Sequence, residues 1–223
     1  MLFRSATSDH VPLQVGQFES GVEMDEHLRN VILEGNGGGT SHESYELALY
    51  FLARHTSIDC WEKRGRKGYA FLIGDEMAYP AVSKQQVAEH IGDKLEGNIP
   101  LRQIIAEIQR SYHLFFIFPC NASYPRDGAN PAFWQDLLGQ NVIFLDDENA
   151  VSETIALAVG LTENAINLAE GTEDLSSAGA SADAIGAAAK ALQVYASASN
   201  GLTTTGQALP GLALEDQPTT ERI

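Results

Sequence analysis

The stretch Tyr69-Ala70-Phe71-Leu72-Ile73-Gly74-Asp75-Glu76 decides the fold prediction. Its first five residues are apolar, which is typical of a strand that is covered on both faces in a parallel sheet. A carboxylate, Asp75, follows almost directly. Because α/β sheets place their sites at the carboxyl ends of parallel strands, Asp75 is the first candidate site residue, and Glu76 is interpreted as its solvated neighbour.

A glycine-rich loop upstream carries the second candidate. Gly35-Asn36-Gly37-Gly38-Gly39-Thr40 runs into a helical pattern that begins near Ser44. A hydroxyl at this helix start and the carboxylate of Asp75 would bring two oxygen ligands to the same rim of an α/β sheet. The simpler interpretation of Thr40 and Ser41 is helix capping, in which a hydroxyl accepts hydrogen bonds from free backbone N–H groups.

The order of elements predicts an α/β fold with a doubly wound, mostly parallel sheet and helices on both faces. Residues 2–6 and 11–18 form a hairpin, and the strands 69–73, 114–118 and 142–145 are adjacent and parallel. The second hairpin strand lies antiparallel at the opposite edge of that sheet. Helices are predicted over residues 24–34, 41–55, 83–91, 100–112, 133–138 and 150–164.

The composition changes after residue 164, where alanine, glycine, serine and threonine dominate. We therefore predict one domain over residues 1–164, followed by a flexible Ala/Gly/Ser-rich tail over residues 165–223. The tail has few large apolar side chains, and a single weak helix is expected over residues 181–197.

Two short motifs carry a resemblance to a known family. The loop Gln17-Phe18-Glu19-Ser20-Gly21 and the helix Glu43-Ser44-Tyr45-Glu46-Leu47-Ala48 resemble those of bacterial intracellular proteins with a von Willebrand factor A (vWA) domain. The resemblance covers about three quarters of the chain and implies a Rossmann-like fold. The family's first motif, Asp-x-Ser-x-Ser after a central strand, is absent, so the domain is expected to be N-terminally incomplete.

The resemblance implies a magnesium site whose remaining ligands are Asp75 and Thr40, with Ser44 as the alternative hydroxyl. In the family, the metal completes its coordination with an acidic side chain from a partner protein. Since the first motif is missing, Mg²⁺ is expected to bind weakly or not at all. The implied function is a non-enzymatic protein-interaction domain with a degenerate metal-dependent adhesion site. The alternatives are a metal-dependent hydrolase that uses the acidic rim, or a truncated fragment without independent function.

The overall charge and apolar pattern exclude several classes of partner. A formal net charge of −16 argues against nucleic acid, which requires a surplus of Lys and Arg. No apolar run is long enough to cross a bilayer, and an N-terminal secretion signal is lacking, so we expect a soluble cytoplasmic protein without a membrane partner. The basic stretch Lys63–Lys67 is a candidate docking surface on this acidic chain. The oligomeric state is left open.

Overall fold

The structure, a computed structural model, describes residues 1–17, 21–34, 41–121 and 128–205, and their side chains as far as residue 198. It is a mixed α/β fold in which short strands near the N-terminus precede three longer ones. In chain order its elements are β1 (Leu2–Phe3), β2 (Leu13–Gln14), α1 (Glu23–Arg29), β3 (His42–Glu43), α2 (Tyr45–His55), α3 (Asp59–Glu62), β4 (Gly68–Ile73), β5 (Met77–Ala78), β6 (Ala81–Val82), α4 (Lys84–His90), β7 (Ile99–Pro100), α5 (Leu101–Ser111), β8 (Tyr112–Pro119), α6 (Ala129–Leu138), β9 (Val142–Leu145), α7 (Val151–Thr162), α8 (Leu168–Ser177) and α9 (Ala182–Thr205).

The main sheet has the strand order β4-β8-β9, and both pairings are parallel. Tyr69 pairs with His113 and Phe116 pairs with Val142. The prediction of three adjacent parallel strands is therefore confirmed. Their apolar runs form central strands because side chains on both faces of the sheet are covered.

Two hydrophobic cores lie on opposite faces of this sheet. Successive side chains of β8 alternate between them, since strand residues point to opposite faces with a period of two. Leu114 and Phe116 belong to the first core, which α2, α5 and α6 cover. Phe115 and Ile117 belong to the second core, which α7 and α9 cover. Helices on both faces were predicted, and the structure has them.

Among the described residues, the N-terminal hairpin does not join the main sheet. β1 and β2 pair antiparallel, with Leu2 opposite Gln14, as a separate two-stranded sheet in the part of the chain that the structure describes. The prediction that its second strand forms the far edge of the main sheet is therefore wrong for the described residues, and Phe18 lies outside them. The hairpin is held instead by packing, because the ring of Phe3 lies 4.5 Å from that of Tyr45 on α2.

Helix α1 is shorter than the predicted helix over residues 24–34, and it ends at Arg29. The amide side chain of Gln14 bonds both the N–H and the carbonyl of Ile32, and the Glu34 carboxylate accepts the N–H groups of His10 and Val11. These bonds hold residues 30–34 along the hairpin, so the helix cannot continue there. None of the residues of α1 is buried.

The segment after Asn164 is packed, contrary to the expectation of a flexible tail. Helices α8 and α9 follow α7, and the predicted helix over residues 181–197 appears as α9, which continues to Thr205. Ala188, Leu192 and Tyr195 are buried in the second core. The segment needs no core of its own, because its alanines let α9 lie close against α7 and the sheet. Residues 206–223 lie outside the described residues.

At 24 residues, α9 is the longest helix of the described chain. Neither it nor any other described helix is both long and apolar enough to cross a membrane.

Candidate functional site

The structure brings two of the predicted site segments together. Asp75 follows β4 at its carboxyl end, and Ser44 immediately precedes α2. The short strands β3 and β5 pair in parallel, with His42 opposite Met77, and the N–H of Met77 donates to the carbonyl of Ser41 at 3.0 Å. The beginning of α2 is therefore bonded to the segment that follows Asp75. Thr40 lies outside the described residues.

Ser44 has a structural role in this arrangement. It is fully buried, and its hydroxyl oxygen accepts the backbone N–H of Ala6 at 2.9 Å. Its own N–H donates to the carbonyl of Arg4 at 3.3 Å. The hydroxyl makes no capping bond to the N–H groups of α2. Ser44 thus fastens the N-terminal hairpin to the helix, and its hydroxyl is already used in that contact.

Gly74 allows the strand end to approach α2 closely. A Cβ at this position would lie 2.0 Å from the hydroxyl oxygen of Tyr45, whose side chain is buried. Burial raises the pKa of Tyr45 well above its usual range, and the nearby charges of Glu43 and Asp75 add to that shift. The neutral phenol therefore packs directly against the backbone on which Asp75 is carried.

Helix α6 fixes the backbone of the same segment. The side-chain amide of Asn130 donates to the carbonyl of Asp75 at 2.9 Å, and the indole N–H of Trp134 donates to the carbonyl of Glu76 at 2.8 Å. Both donors lie on a helix that packs against β8 through the stacked rings of Trp134 and Phe116, whose centroids are 4.1 Å apart. The positions of Asp75 and Glu76 are therefore set by the first core.

Three carboxylates form what we call the acidic rim: Glu43, Asp75 and Glu76. Burial raises the pKa of Glu76 to about 7, and repulsion from Glu43 and Asp75 adds to the effect. Burial also raises the pKa of Glu43, which Arg4 partly opposes. Glu76 is half-buried and electrostatically coupled to its neighbours, so its interpretation as a solvated residue is wrong.

Arg4 faces the acidic rim, since its charge lowers the pKa of both Glu43 and Glu76. Its Nε lies 3.6 Å from a carboxylate oxygen of Asp9, and Asp9 also accepts the backbone N–H of Ser5 at 2.9 Å. The turn aspartate of the hairpin thus orients Arg4. Arg4 therefore faces Glu43 and Glu76 while Asp9 holds its guanidinium.

The predicted magnesium ligands are Asp75, Ser44 and Thr40, of which Thr40 lies outside the described residues. In the described ranges, no three His, Cys, Asp or Glu side chains are grouped closely enough to hold a metal ion. The Ser44 hydroxyl accepts the Ala6 N–H and is closed to solvent.

Sequence reasoning missed Glu46, which lies on α2 two residues after Ser44. Its side chain is 1% exposed, and one carboxylate oxygen accepts the N–H of Tyr79 at 3.2 Å while the other has no hydrogen-bond partner within the described chain. Burial raises its pKa to about 8. The signal was available, because Glu46 stands inside the apolar run from Tyr45 to Tyr50, whose residues are all buried.

Comparison with known proteins identifies no relative: no protein-family model, curated protein or solved structure matches the chain. The vWA resemblance rests on its motifs alone.

Proposed function

We propose that this protein is a non-enzymatic protein-interaction module whose recognition surface lies at its N-terminal end. One observation carries the proposal. Five large apolar side chains on and beside α1 are between 50% and 82% exposed; this apolar patch consists of Val22, Met24, Leu28, Ile32 and Leu33. Exposed apolar side chains concentrated in one segment, residues 22–33, are typical of a site of association.

The chemistry around the apolar patch favours a basic protein partner. The first turn of α1 carries Glu23, Asp25 and Glu26, so acidic side chains are interleaved with the apolar ones. The hairpin connects the patch to the acidic rim, since Gln14 bonds Ile32 and Arg4 faces Glu43 and Glu76. A partner that presents an apolar groove with Lys or Arg at its edge would match both features.

The resemblance to vWA domains supports a related form of the same proposal. In that form, Mg²⁺ held by Asp75 and by the hydroxyl of Thr40 or Ser44 bridges to an acidic side chain of the partner. We favour direct contact with a basic group, because the Ser44 hydroxyl already accepts the Ala6 N–H, and Thr40 lies outside the described residues.

A matched pair of variants tests the proposal. Proteins captured by the tagged full chain would be compared with those captured by Leu28→Glu, in the apolar patch, and Val194→Glu, an exposed apolar position on α9. We expect a partner that binds wild type and Val194→Glu but not Leu28→Glu, and whose affinity, measured by calorimetry after purification, does not change with EDTA. Loss of binding in EDTA would support the magnesium-bridged form. Equal capture by all three chains would refute the apolar patch as the recognition surface.

A further inference from the structure

Strand β4 has an open edge. It pairs with β8 on one side, and among the described residues no strand pairs with its other side. The N–H of Gly74 donates to Ile117 on the β8 side. Because backbone groups alternate along a strand, the N–H and C=O groups of Tyr69, Phe71 and Ile73 point to the open edge. Within the described chain, these groups have no hydrogen-bond partner.

The side chains of the same three residues form an incompletely covered apolar stripe. Tyr69 and Phe71 are half-buried, and Ile73 is 44% exposed. Tyr69 stacks on His113 and Phe71 stacks on Phe115. One face of each ring therefore contacts β8, and because both rings are only half-buried, part of their surface is open to a further strand.

The charges at the two ends of β4 have opposite signs. Lys63, Arg64, Arg66 and Lys67 immediately precede the strand, and all are exposed. Asp75 and Glu76 of the acidic rim follow it. A strand with a basic beginning and an acidic end is complementary to an antiparallel copy of itself.

We propose that β4 pairs with β4 of a second copy of this chain across a twofold axis at Phe71. In this register the three residues with outward-pointing backbone groups pair fully, with Tyr69 opposite Ile73 of the second copy. Lys67 lies opposite Asp75, and Arg66 lies opposite Glu76. The two main sheets become one six-stranded sheet, and the edge that each copy leaves open is closed.

The net charge of each copy opposes this association. At about 0.15 M salt the Debye length is about 8 Å, so distant charges are screened while the opposed ends of the paired strands remain in contact. We therefore expect a weak, reversible dimer rather than a permanent one.

Sedimentation equilibrium of the full chain at this salt concentration tests the proposal. Ile73→Lys should raise the dimer dissociation constant at least about tenfold, whereas Val194→Lys, an exposed apolar position on α9, should leave it unchanged. Lys67→Glu and Asp75→Lys should each weaken the dimer, and the double variant should restore it.

Amide hydrogen exchange tests the register directly. The amides of Tyr69, Phe71 and Ile73 should become protected as the protein concentration rises. A dimer that is indifferent to Ile73→Lys, or charge reversals that do not rescue each other, would overturn the proposal. A chain that remains monomeric with these three amides unprotected would also overturn it. In that case, the open edge of β4 would be a binding site for a strand from another protein.

Discussion

Trp134 and Glu76 are joined across 58 positions of sequence by a hydrogen bond from the indole N–H to the backbone carbonyl at 2.8 Å. Trp134 is fully buried among the rings of Tyr45, Phe116 and Phe133. The bond therefore attaches the segment that carries the acidic rim to the centre of the first core. Changes in the packing of α6 should therefore alter the positions of Asp75 and Glu76 in the acidic rim.

Replacing Trp134 by phenylalanine tests this connection. The variant keeps an aromatic ring but leaves the Glu76 carbonyl without its donor, which should cost about 1–3 kcal/mol of unfolding free energy, together with a cavity contribution. Urea denaturation measures the change. The chain's other tryptophan, Trp61, is 41% exposed, and Trp61→Phe should alter stability by less than about 0.5 kcal/mol. Equal effects at both positions would contradict the proposed anchor.

Gly74→Ala should destabilise the protein strongly. The added methyl group would overlap the Tyr45 hydroxyl, and the buried ring of Tyr45 has no room to withdraw, so we expect a loss of about 1–3 kcal/mol or more. Gly97→Ala is the control, because no heavy atom lies within 4 Å of a Cβ at that position. Thermal melts of the two variants should separate clearly, and a Gly74→Ala melt equal to that of wild type would show that the close approach is absent.

Glu46 should make stability depend on pH. Its pKa is about 8 in the folded chain against an ordinary value of 4.5, so between these values the native state retains a proton that the unfolded state has released. The unfolding free energy should therefore fall as the pH rises through this range, by at most about 1.4 kcal/mol per pH unit from this group.

Glu46→Gln removes the titrating group and should flatten that part of the pH profile, so that the variant exceeds wild type in stability at pH 8. Glu89→Gln, at an exposed position on α4, is the matched control and should follow the wild-type profile. Chemical denaturation at half-unit steps from pH 5 to pH 8.5 measures the difference between the chains. Parallel profiles for wild type and Glu46→Gln would show that Glu46 titrates normally.

Magnesium should bind the chain no more tightly than the millimolar range, about −4 kcal/mol at a dissociation constant of 1 mM. Asp75→Ala should remove this weak binding, while Ser44→Ala should leave it unchanged, since the Ser44 hydroxyl already accepts the Ala6 N–H. Titration calorimetry compares the three chains. Micromolar binding, or binding lost with Ser44→Ala, would restore Ser44 as a ligand.

The strands of the main sheet could be predicted from sequence because they are buried on both faces. The run Tyr69–Ile73 and the strands after it need apolar side chains at every position, which leaves a continuous pattern. The position of Asp75 at the carboxyl end of β4 follows from the same pattern.

Tertiary contacts decide the parts that sequence reasoning missed. The predicted helix over residues 24–34 ends early because the side chains of Gln14 and Glu34 bond distant backbone groups. Helix α9 is ordered because it packs against a face of the sheet that other segments form. Its own composition does not report that contact, and therefore suggested flexibility. The altered pKa values of Glu46 and Glu76 result from burial, which single-residue patterns do not report.

The second core can be completed only late in the synthesis of the chain. Its sheet face, with Phe115 and Ile117, is made well before α9, the helix that covers it. The ribosome makes chains from the N-terminus, so the first core can assemble while the second face of the nascent sheet is still bare. During that interval the growing chain exposes the apolar residues of this face, which binding by a chaperone would protect.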